Sequence, residues 1–263
     1  LVRVDGAGEI TVVSLNQVPY SRMMLPNRPE ESTPLVLQGG REFPIPNYPS
    51  NQNTEGPLRL FGVQTITDLA YTDGRLYVAG LSNEEFGSTL RSIAYPFRGV
   101  DDGTSVEIWH ASHNQFETRS PISTFVPYTI DDEPYLIASY LCTPLVKFPV
   151  SSLAPGGDVR GETIAEFGNG NRPLDMVVYQ KGGQDFLLMS NNTHGVMKIP
   201  TAGFGTAPAL TDAVANGETA GVVHERISGM QGVEQLDLLD DRRALVLTRS
   251  AEGALNLEAV ALP

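Results

Sequence analysis

Four histidines are the side chains in this sequence best suited to acid–base or metal chemistry near neutral pH. His113 and His194 lie in polar segments between predicted strands, where either could bind a metal ion or act as a general base. His110 and His224 lie in predicted outer strands, where we expect an exposed or hydrogen-bonded imidazole. No His-x-x-x-His, Cys-x-x-Cys or clustered-carboxylate motif supports a metal site, so any metal or cofactor is left unknown.

Cys142 is the single cysteine, which excludes an intrachain disulfide. It lies among apolar neighbours in the segment Tyr140-Leu141-Cys142-Thr143, with no basic residue nearby in the sequence, and this predicts a partly buried, inert thiol. The sequence also lacks a Gly-x-Ser-x-Gly nucleophile elbow and a glycine-rich phosphate loop before a helix. We therefore assign no catalytic residue from the sequence.

Polar loop segments supply the candidate binding residues. We expect these segments to share one face of the fold, because binding residues belong on loops that a rigid scaffold presents. Arg119 and Arg172 are the candidates for anion binding, since guanidinium groups match carboxylates. Loops of this composition are also what any solvated turn requires. The candidate ligand-binding residues are Arg119, Arg172, Asn191, His194, His113 and Glu84.

Strands must position these side chains, because four stretches of the chain can be aligned as strand–turn–strand units. Their β-branched and aromatic runs are bounded by Gly, Asp, Asn and Pro, which indicates strands rather than helices. A third strand follows each unit. The predicted turns are Asp73-Gly74, Asp131-Asp132, Gly182-Gly183 and Asp240-Asp241, and the predicted fourth strands are Val106–Trp109, Ile164–Phe167 and Val222–Val223.

The spacing of the unit indicates how the strands are organised. It recurs every ~50–60 residues, within the range of propeller blades. A four-stranded unit of this kind cannot bury both faces alone, so we predict an all-β fold, a β-propeller of four-stranded blades. The prediction is one domain over residues 1–263 with five to seven blades, and it leaves open whether the ring is complete. A two-sheet β-sandwich is the structural alternative.

Asp68 and Asp175 occupy matching positions in the predicted inner strands. Repeated acids near an axis could bind a cation. We favour a structural role, in which each carboxylate hydrogen-bonds the adjacent backbone.

One run of the chain resembles a known repeat family. The segment from Phe167 to Val177, which includes Gly168-Asn169-Gly170-Asn171, is similar to the loop and inner strand that open an NHL or YVTN-type blade. The following segment, Phe186 to Asn191, is similar to the second strand of that family. The resemblance covers the chain from about Phe61 onward and implies a propeller whose relatives bind ligands, act as scaffolds and occasionally catalyse reactions.

The first sixty residues fit the unit poorly. A hairpin is predicted over Leu1–Leu15, and it could supply the outer strand that the last unit lacks. An irregular, proline-rich arm follows over residues 26–57. Seven prolines restrict this arm, and its apolar side chains predict that it lies in order across the propeller or a partner subunit. The alternative is a disordered surface insertion.

The charge of the chain excludes some partners. With 18 basic and 31 acidic residues, the net charge of −13 argues against nucleic acid and against polybasic membrane binding. No apolar run is long enough to predict membrane insertion by this chain. The sequence begins at Leu1 rather than Met and shows no signal-peptide pattern, and we favour a processed, exported protein that is periplasmic or extracellular.

Clear blade-like units without a catalytic constellation favour a binding or scaffolding protein, which uses its loops on one face to bind a protein partner or a small-molecule ligand. The alternative is a propeller enzyme or enzyme-accessory subunit, lactonase-like or quinoprotein-associated, with a metal or cofactor in a central pocket. A further possibility is a subunit of a larger complex that is unstable alone.

Overall fold

The computed structural model describes residues 1–30, 64–84, 86–100 and 102–263 of the chain. Its regular elements are almost all strands, so the all-β prediction is confirmed. Three short 3₁₀ helices, Ala111–His113, Val150–Ser152 and Thr201–Gly203, are the helical segments that bear on the fold. The strands are β1 Val2–Val4, β2 Ile10–Val12, β3 Asp68–Thr72, β4 Arg75–Leu81, β5 Ser88–Ala94, β6 Thr104–His110, β7 Gln115–Glu117, β8 Thr124–Ile130, β9 Glu133–Ser139, β10 Pro144–Pro149, β11 Asp158–Arg160, β12 Glu162–Glu166, β13 Pro173–Lys181, β14 Gln184–Asn191, β15 Gly195–Pro200, β16 Ala220–Gly221, β17 Glu225–Ile227, β18 Val233–Leu238, β19 Arg243–Arg249 and β20 Leu255–Ala261.

The strands form four successive sheets and one separate hairpin. The first unit has the order β11-β6-β5-β4-β3, with β7 paired to β6, and the second has the order β16-β12-β10-β9-β8. The third is β13-β14-β15-β17, and the fourth is β18-β19-β20. The first three strands of each unit are consecutive, antiparallel and joined by short turns. Asp73 and Gly74 show why: both adopt positive φ, 50° and 73°, which Asp-Gly tolerates at a hairpin turn.

The inner strands of the four units contact one another in order, β3 against β8, β8 against β13 and β13 against β18. Hydrogen bonds from aspartate side chains link the two strands in two of these pairs. Asp68 accepts a hydrogen bond from the Phe125 N–H at 2.8 Å, and Asp175 accepts one from the Leu236 N–H at 2.8 Å. The favoured structural role for both aspartates therefore agrees with their contacts. These bonds also show that neighbouring inner strands begin at the same end.

Hydrophobic clusters fill the three spaces between successive units. Strand β9 contributes side chains to two of these hydrophobic clusters. Leu136 and Ala138 pack toward the first unit, whereas Ile137 packs toward the third, because successive side chains of a strand point to opposite faces. All three are fully buried, which explains why the second strands read as nearly continuous apolar runs in the sequence.

The outer strands differ in part from the prediction. Strands β6 and β12 form where fourth strands were expected, but Val222–Val223 lies outside the strands. The fourth strand of the third unit is β17 instead, and β16 joins the second unit beside β12. Gly221 permits this close pairing, since a Cβ there would lie 2.1 Å from the Ile164 carbonyl oxygen.

The N-terminal hairpin does not complete the fourth unit in this structure. Strands β1 and β2 pair with each other, and β20 remains an edge strand among the described residues. Each strand of the hairpin is only three residues long, and its apolar side chains are exposed, Val12 by 80%. The two hairpin strands therefore pair with each other, with Val2 opposite Val12, and not with β20, as completion of the fourth unit would require.

The start of the proline-rich arm lies against the first unit. The Pro26 carbonyl accepts a hydrogen bond from Arg91 at 3.2 Å, and the Asn27 carbonyl accepts one from the Asn83 N–H at 2.7 Å. The rest of the predicted arm, residues 31–57, lies outside the described residues. In the part of the chain that is described, no helix is long and apolar enough to cross a membrane.

Candidate metal centre

A short turn at the end of β6 places two histidines side by side. His110 is the last residue of β6, and His113 ends the 3₁₀ helix that follows it. Asn114 then adopts a left-handed conformation, φ 53°, which reverses the chain so that β7 pairs back onto β6. The two imidazole rings lie 3.8 Å apart between centroids. The turn also brings Glu117, at the end of β7, next to both rings.

Glu117 accepts a hydrogen bond from each histidine. Its Oε2 lies 2.9 Å from His110 Nδ1, and its Oε1 lies 2.7 Å from His113 Nδ1. Gln115 and Ser120 donate to the same carboxylate. Burial alone would raise the pKa of Glu117, but the hydrogen bonds from the two imidazoles outweigh it and hold this pKa far below its usual range.

The ionised Glu117 fixes a proton on the Nδ1 atom of both rings. A carboxylate only accepts hydrogen bonds, so each Nδ1 beside it must carry the proton. The Nε2 atoms of His110 and His113 are then the ring nitrogens left for other partners. A carboxylate that fixes Nδ1 in this way is the usual outer partner of a metal-binding histidine.

Cys142 belongs to this group. It is partly buried, as predicted, but the fold gives it a basic neighbour, His113, that the sequence did not show. Cys142 lies in the turn between β9 and β10, at φ 65°, and its N–H donates to the Asn171 carbonyl at 2.8 Å. One donor atom each from His110, His113 and Cys142 lie within 4.8 Å of one another. A hydrogen bond with Cys142, together with that to Glu117, raises the pKa of His113 to about 10.

Two buried polar atoms face each other at the inner side of this group. His110 Nε2 and Glu166 Oε1 lie 3.9 Å apart, and neither has a hydrogen-bond partner among the described residues. Their side chains are 1% and 0% exposed. Burial lowers the pKa of His110 and raises that of Glu166 to about 8. His110 is therefore hydrogen-bonded at Nδ1, as expected for a buried imidazole, but not at Nε2.

The donor set suits a transition metal. Two imidazole nitrogens and one thiolate are ligands that Zn²⁺ and its neighbours bind, and catalytic zinc sites keep three protein ligands with an open position. The centre lies between the first and second units, because His110 ends β6 and Cys142 follows β9. Neither His194 nor His224 belongs to it. Of the two loop histidines that the sequence singled out, His113 alone belongs to this cluster.

A set of amides, which we call the asparagine network, consists of the buried Asn171 and Asn191 and the partly buried Asn192. Asn171 donates to the Gly168 carbonyl at 2.9 Å and accepts from Asn191 at 2.8 Å. The Asn191 Oδ1 also accepts the N–H of His194 at 3.0 Å. The network adjoins the metal centre through the bond from the Cys142 N–H to the Asn171 carbonyl.

Other candidate binding residues lie in or near these turns. The Arg172 N–H donates to Asn192 Oδ1 at 2.6 Å. His194 is half-buried, and burial, together with the charge of Arg226 and the neighbouring His224, lowers its pKa to about 4. Arg119 is exposed two residues beyond Glu117. Whether these side chains bind an anion stays a prediction.

Glu84 is engaged inside the fold. Its Oε1 accepts from Arg91 at 2.7 Å and from the Gly103 N–H at 3.0 Å, which orders the turn between β4 and β5. Sequence reasoning missed His110, Cys142, Glu117 and Glu166. The spacing of His110, His113 and Glu117 within one short segment was the available signal, whereas Cys142 and Glu166 come from distant parts of the chain.

Comparisons with known proteins add little to this geometry. No protein-family model matches the chain, and no curated protein matches it. Among solved structures the chain is similar to one whose description concerns engineering the active site of a GH43 glycoside hydrolase to display endo-xylanase and exo-arabinofuranosidase activity. The two are 14% identical with a TM-score of 0.31, over 81% of this chain and 43% of that chain. The chain therefore spans less than half the length of that structure.

Proposed function

We propose that this chain binds a divalent transition-metal ion, with Zn²⁺ as the first candidate, through His110 Nε2, His113 Nε2 and Cys142 Sγ. The observation that carries the proposal is the position of Glu117, whose carboxylate accepts from Nδ1 of both histidines. Glu117 therefore orients both rings with Nδ1–H toward its carboxylate and Nε2 toward other partners, and His113, whose pKa is raised to about 10, would release its Nε2 proton when an ion binds.

The unpaired nitrogen of His110 supports the same proposal. A buried polar group without a partner costs about 1–3 kcal/mol, so a ligand that binds this nitrogen would recover that cost. Burial also holds the pKa of His110 below its ordinary value, so the ring is neutral and available as a ligand. A bound ion would satisfy this nitrogen directly.

The charges of the centre balance a divalent ion. Metal binding requires the thiolate form of Cys142, and Glu117 is ionised beside the two imidazoles. These two negative charges offset the charge of a dication in a largely buried setting.

We further propose that the four units are blades of a β-propeller, which the ordered contacts of β3, β8, β13 and β18 support. The metal centre would then lie between two blades and not in the central pocket that the sequence suggested for a metal. We also propose that the chain is exported and binds a protein partner through loops on one face of the fold.

Metal titration of the chelator-treated protein tests the proposal. We expect the wild-type chain to bind one Zn²⁺ per molecule, measured by calorimetry and by elemental analysis after dialysis. The His110→Ala and Cys142→Ala variants should lose this stoichiometric binding. His224→Ala is the matched control, because His224 is a half-buried imidazole packed on Phe167 outside the centre.

Two results would contradict the proposal. One is a wild-type chain that retains no stoichiometric ion. The other is a Cys142→Ala variant that binds Zn²⁺ as tightly as the wild type.

A further inference from the structure

Glu166 lies beside the three proposed donors, and one of its oxygens is unbonded. It ends β12, its Oε2 accepts the Ser112 N–H at 3.3 Å, and its Oε1 lies 3.9 Å from His110 Nε2. Neither Oε1 nor Nε2 has a hydrogen-bond partner among the described residues, although the Glu166 and His110 side chains are 0% and 1% exposed. A cation between them would satisfy both atoms, because a neutral imidazole and an ionised carboxylate each offer a lone pair there.

We propose that Glu166 Oε1 is the fourth ligand of the metal, so that the site is closed and the ion cross-links the first and second units. The proposal rests on the metal site proposed above. Structural Zn²⁺ sites have four protein ligands in a tetrahedron, and carboxylate oxygens are among the ligands that Zn²⁺ takes. Like the thiol of Cys142, the Glu166 carboxyl binds the ion in its deprotonated form.

The separation of His110 Nε2 from Glu166 Oε1 is close to that of two atoms bound to one ion. In a tetrahedron with bonds of about 2.0–2.2 Å, a nitrogen and an oxygen ligand lie roughly 3.4 Å apart. Glu166 is not one of the three donors that lie within 4.8 Å of one another, so its carboxylate moves closer to His113 or Cys142 when the ion binds. Because Oε1 has no hydrogen bond among the described residues, this movement breaks none of its own.

The four ligands come in equal number from two units of the fold. His110 and His113 belong to the turn that follows β6 in the first unit. Cys142 follows β9 and Glu166 ends β12, both in the second unit. The hydrophobic cluster between these units contains side chains of both sheets, and an ion held by all four ligands would add a direct link at its edge. The ion therefore has a structural role in this proposal.

The Zn²⁺ affinity of Glu166→Gln tests this inference, with a chromophoric chelator as competitor. The amide keeps an acceptor for the Ser112 N–H but lacks the charge of the carboxylate. We expect affinity to fall more than about 100-fold, which is beyond the usual loss for an outer-shell partner. Glu162→Gln is the matched control and should bind Zn²⁺ as the wild type does, since Glu162 lies on the same strand but is 54% exposed and pairs with Lys147.

The cobalt-loaded protein tests whether the site is closed. Co²⁺ binds the same kinds of ligand as Zn²⁺, and its visible absorption reports the ligands around it. Azide should leave the spectrum of the wild type unchanged, because no position is open to it. At saturating Co²⁺, azide should change the spectrum of Glu166→Ala, in which the fourth position is open. Circular dichroism checks that each metal-free variant is folded.

The outcomes separate the two proposals. If the wild type binds no Zn²⁺, the metal site itself fails. If the wild type binds one Zn²⁺ and Glu166→Gln loses no more than about 100-fold in affinity, Glu166 is not a ligand and the site with three protein ligands stands. A wild-type cobalt spectrum that changes with azide would likewise show an open position and overturn the closed site.

Discussion

Two groups of buried polar side chains lie next to each other in this protein, and their hydrogen bonds differ. In the asparagine network, the Asn171 and Asn191 amides find partners within the fold. In the metal centre, His110 Nε2 and Glu166 Oε1 are equally buried but have none among the described residues. One backbone bond, from the Cys142 N–H to the Asn171 carbonyl, joins the two groups.

The contrast separates a structural role from a binding role. A fully bonded polar network rigidifies its surroundings, because every member would be left unpaired if a neighbour moved. An incompletely bonded group is costly to the folded state and indicates something that is missing, such as an ion. The asparagine network is thus the support that holds the turn of Cys142, and the metal centre is the site that this support positions.

Removal of Asn191 should give the largest effect, which is a loss of stability of the metal-free protein. We expect Asn191→Ala to lower the free energy of unfolding by about 2–4 kcal/mol, since several groups lose partners at about 1–3 kcal/mol each. Urea unfolding of the metal-free protein measures this change. Asn256→Ala, on the exposed strand β20, should cost almost nothing. If both variants lose the same small amount of unfolding free energy, the asparagine network does not stabilise the fold.

Replacement of Glu117 should act mainly on the metal. In Glu117→Gln the amide can accept from only one imidazole, so the other ring loses its fixed orientation. We expect Zn²⁺ affinity to fall about 10–100-fold, the usual effect of losing an outer-shell partner. Competition with a chromophoric chelator measures it, and Glu107→Gln, at an ion pair with Arg160 on the same sheet, is the control. Unchanged affinity in Glu117→Gln would remove the main support for the metal site.

Protonation of His194 should give the smallest effect. Its pKa in the folded protein is lowered to about 4 by burial and by nearby Arg226 and His224, against about 6.5 in the unfolded chain. The unfolded state therefore binds more protons between these values, and the stability that His194 contributes is complete above about pH 6.5 and is lost as pH falls toward 4.

The His194→Gln variant isolates this contribution. Unfolding free energies of the chelated protein at pH 7 and pH 4.5 should differ less in the variant than in the wild type. His110 and His224 keep part of the slope in both proteins, because their pKa values are also lowered. An identical slope in the variant would show that His194 is not desolvated by the turn it occupies.

The sequence predicts local structure here better than it predicts the site. Asp73-Gly74 identifies a turn because only a few residues tolerate positive φ, and the apolar runs around Ile137 identify buried strands. The contact of Cys142 with His113 could not be predicted in this way. It forms between two different sheets, and its geometry depends on the left-handed Asn114 and on the packing of the first two units.

The position of a metal ion in crystals grown with Zn²⁺ tests the central claim most directly. Anomalous scattering at the zinc edge should reveal one ion at about 2.0–2.1 Å from His110 Nε2 and His113 Nε2 and about 2.3 Å from Cys142 Sγ. A zinc-loaded crystal with no ion at these three atoms, or with the ion held elsewhere on the chain, would contradict the account.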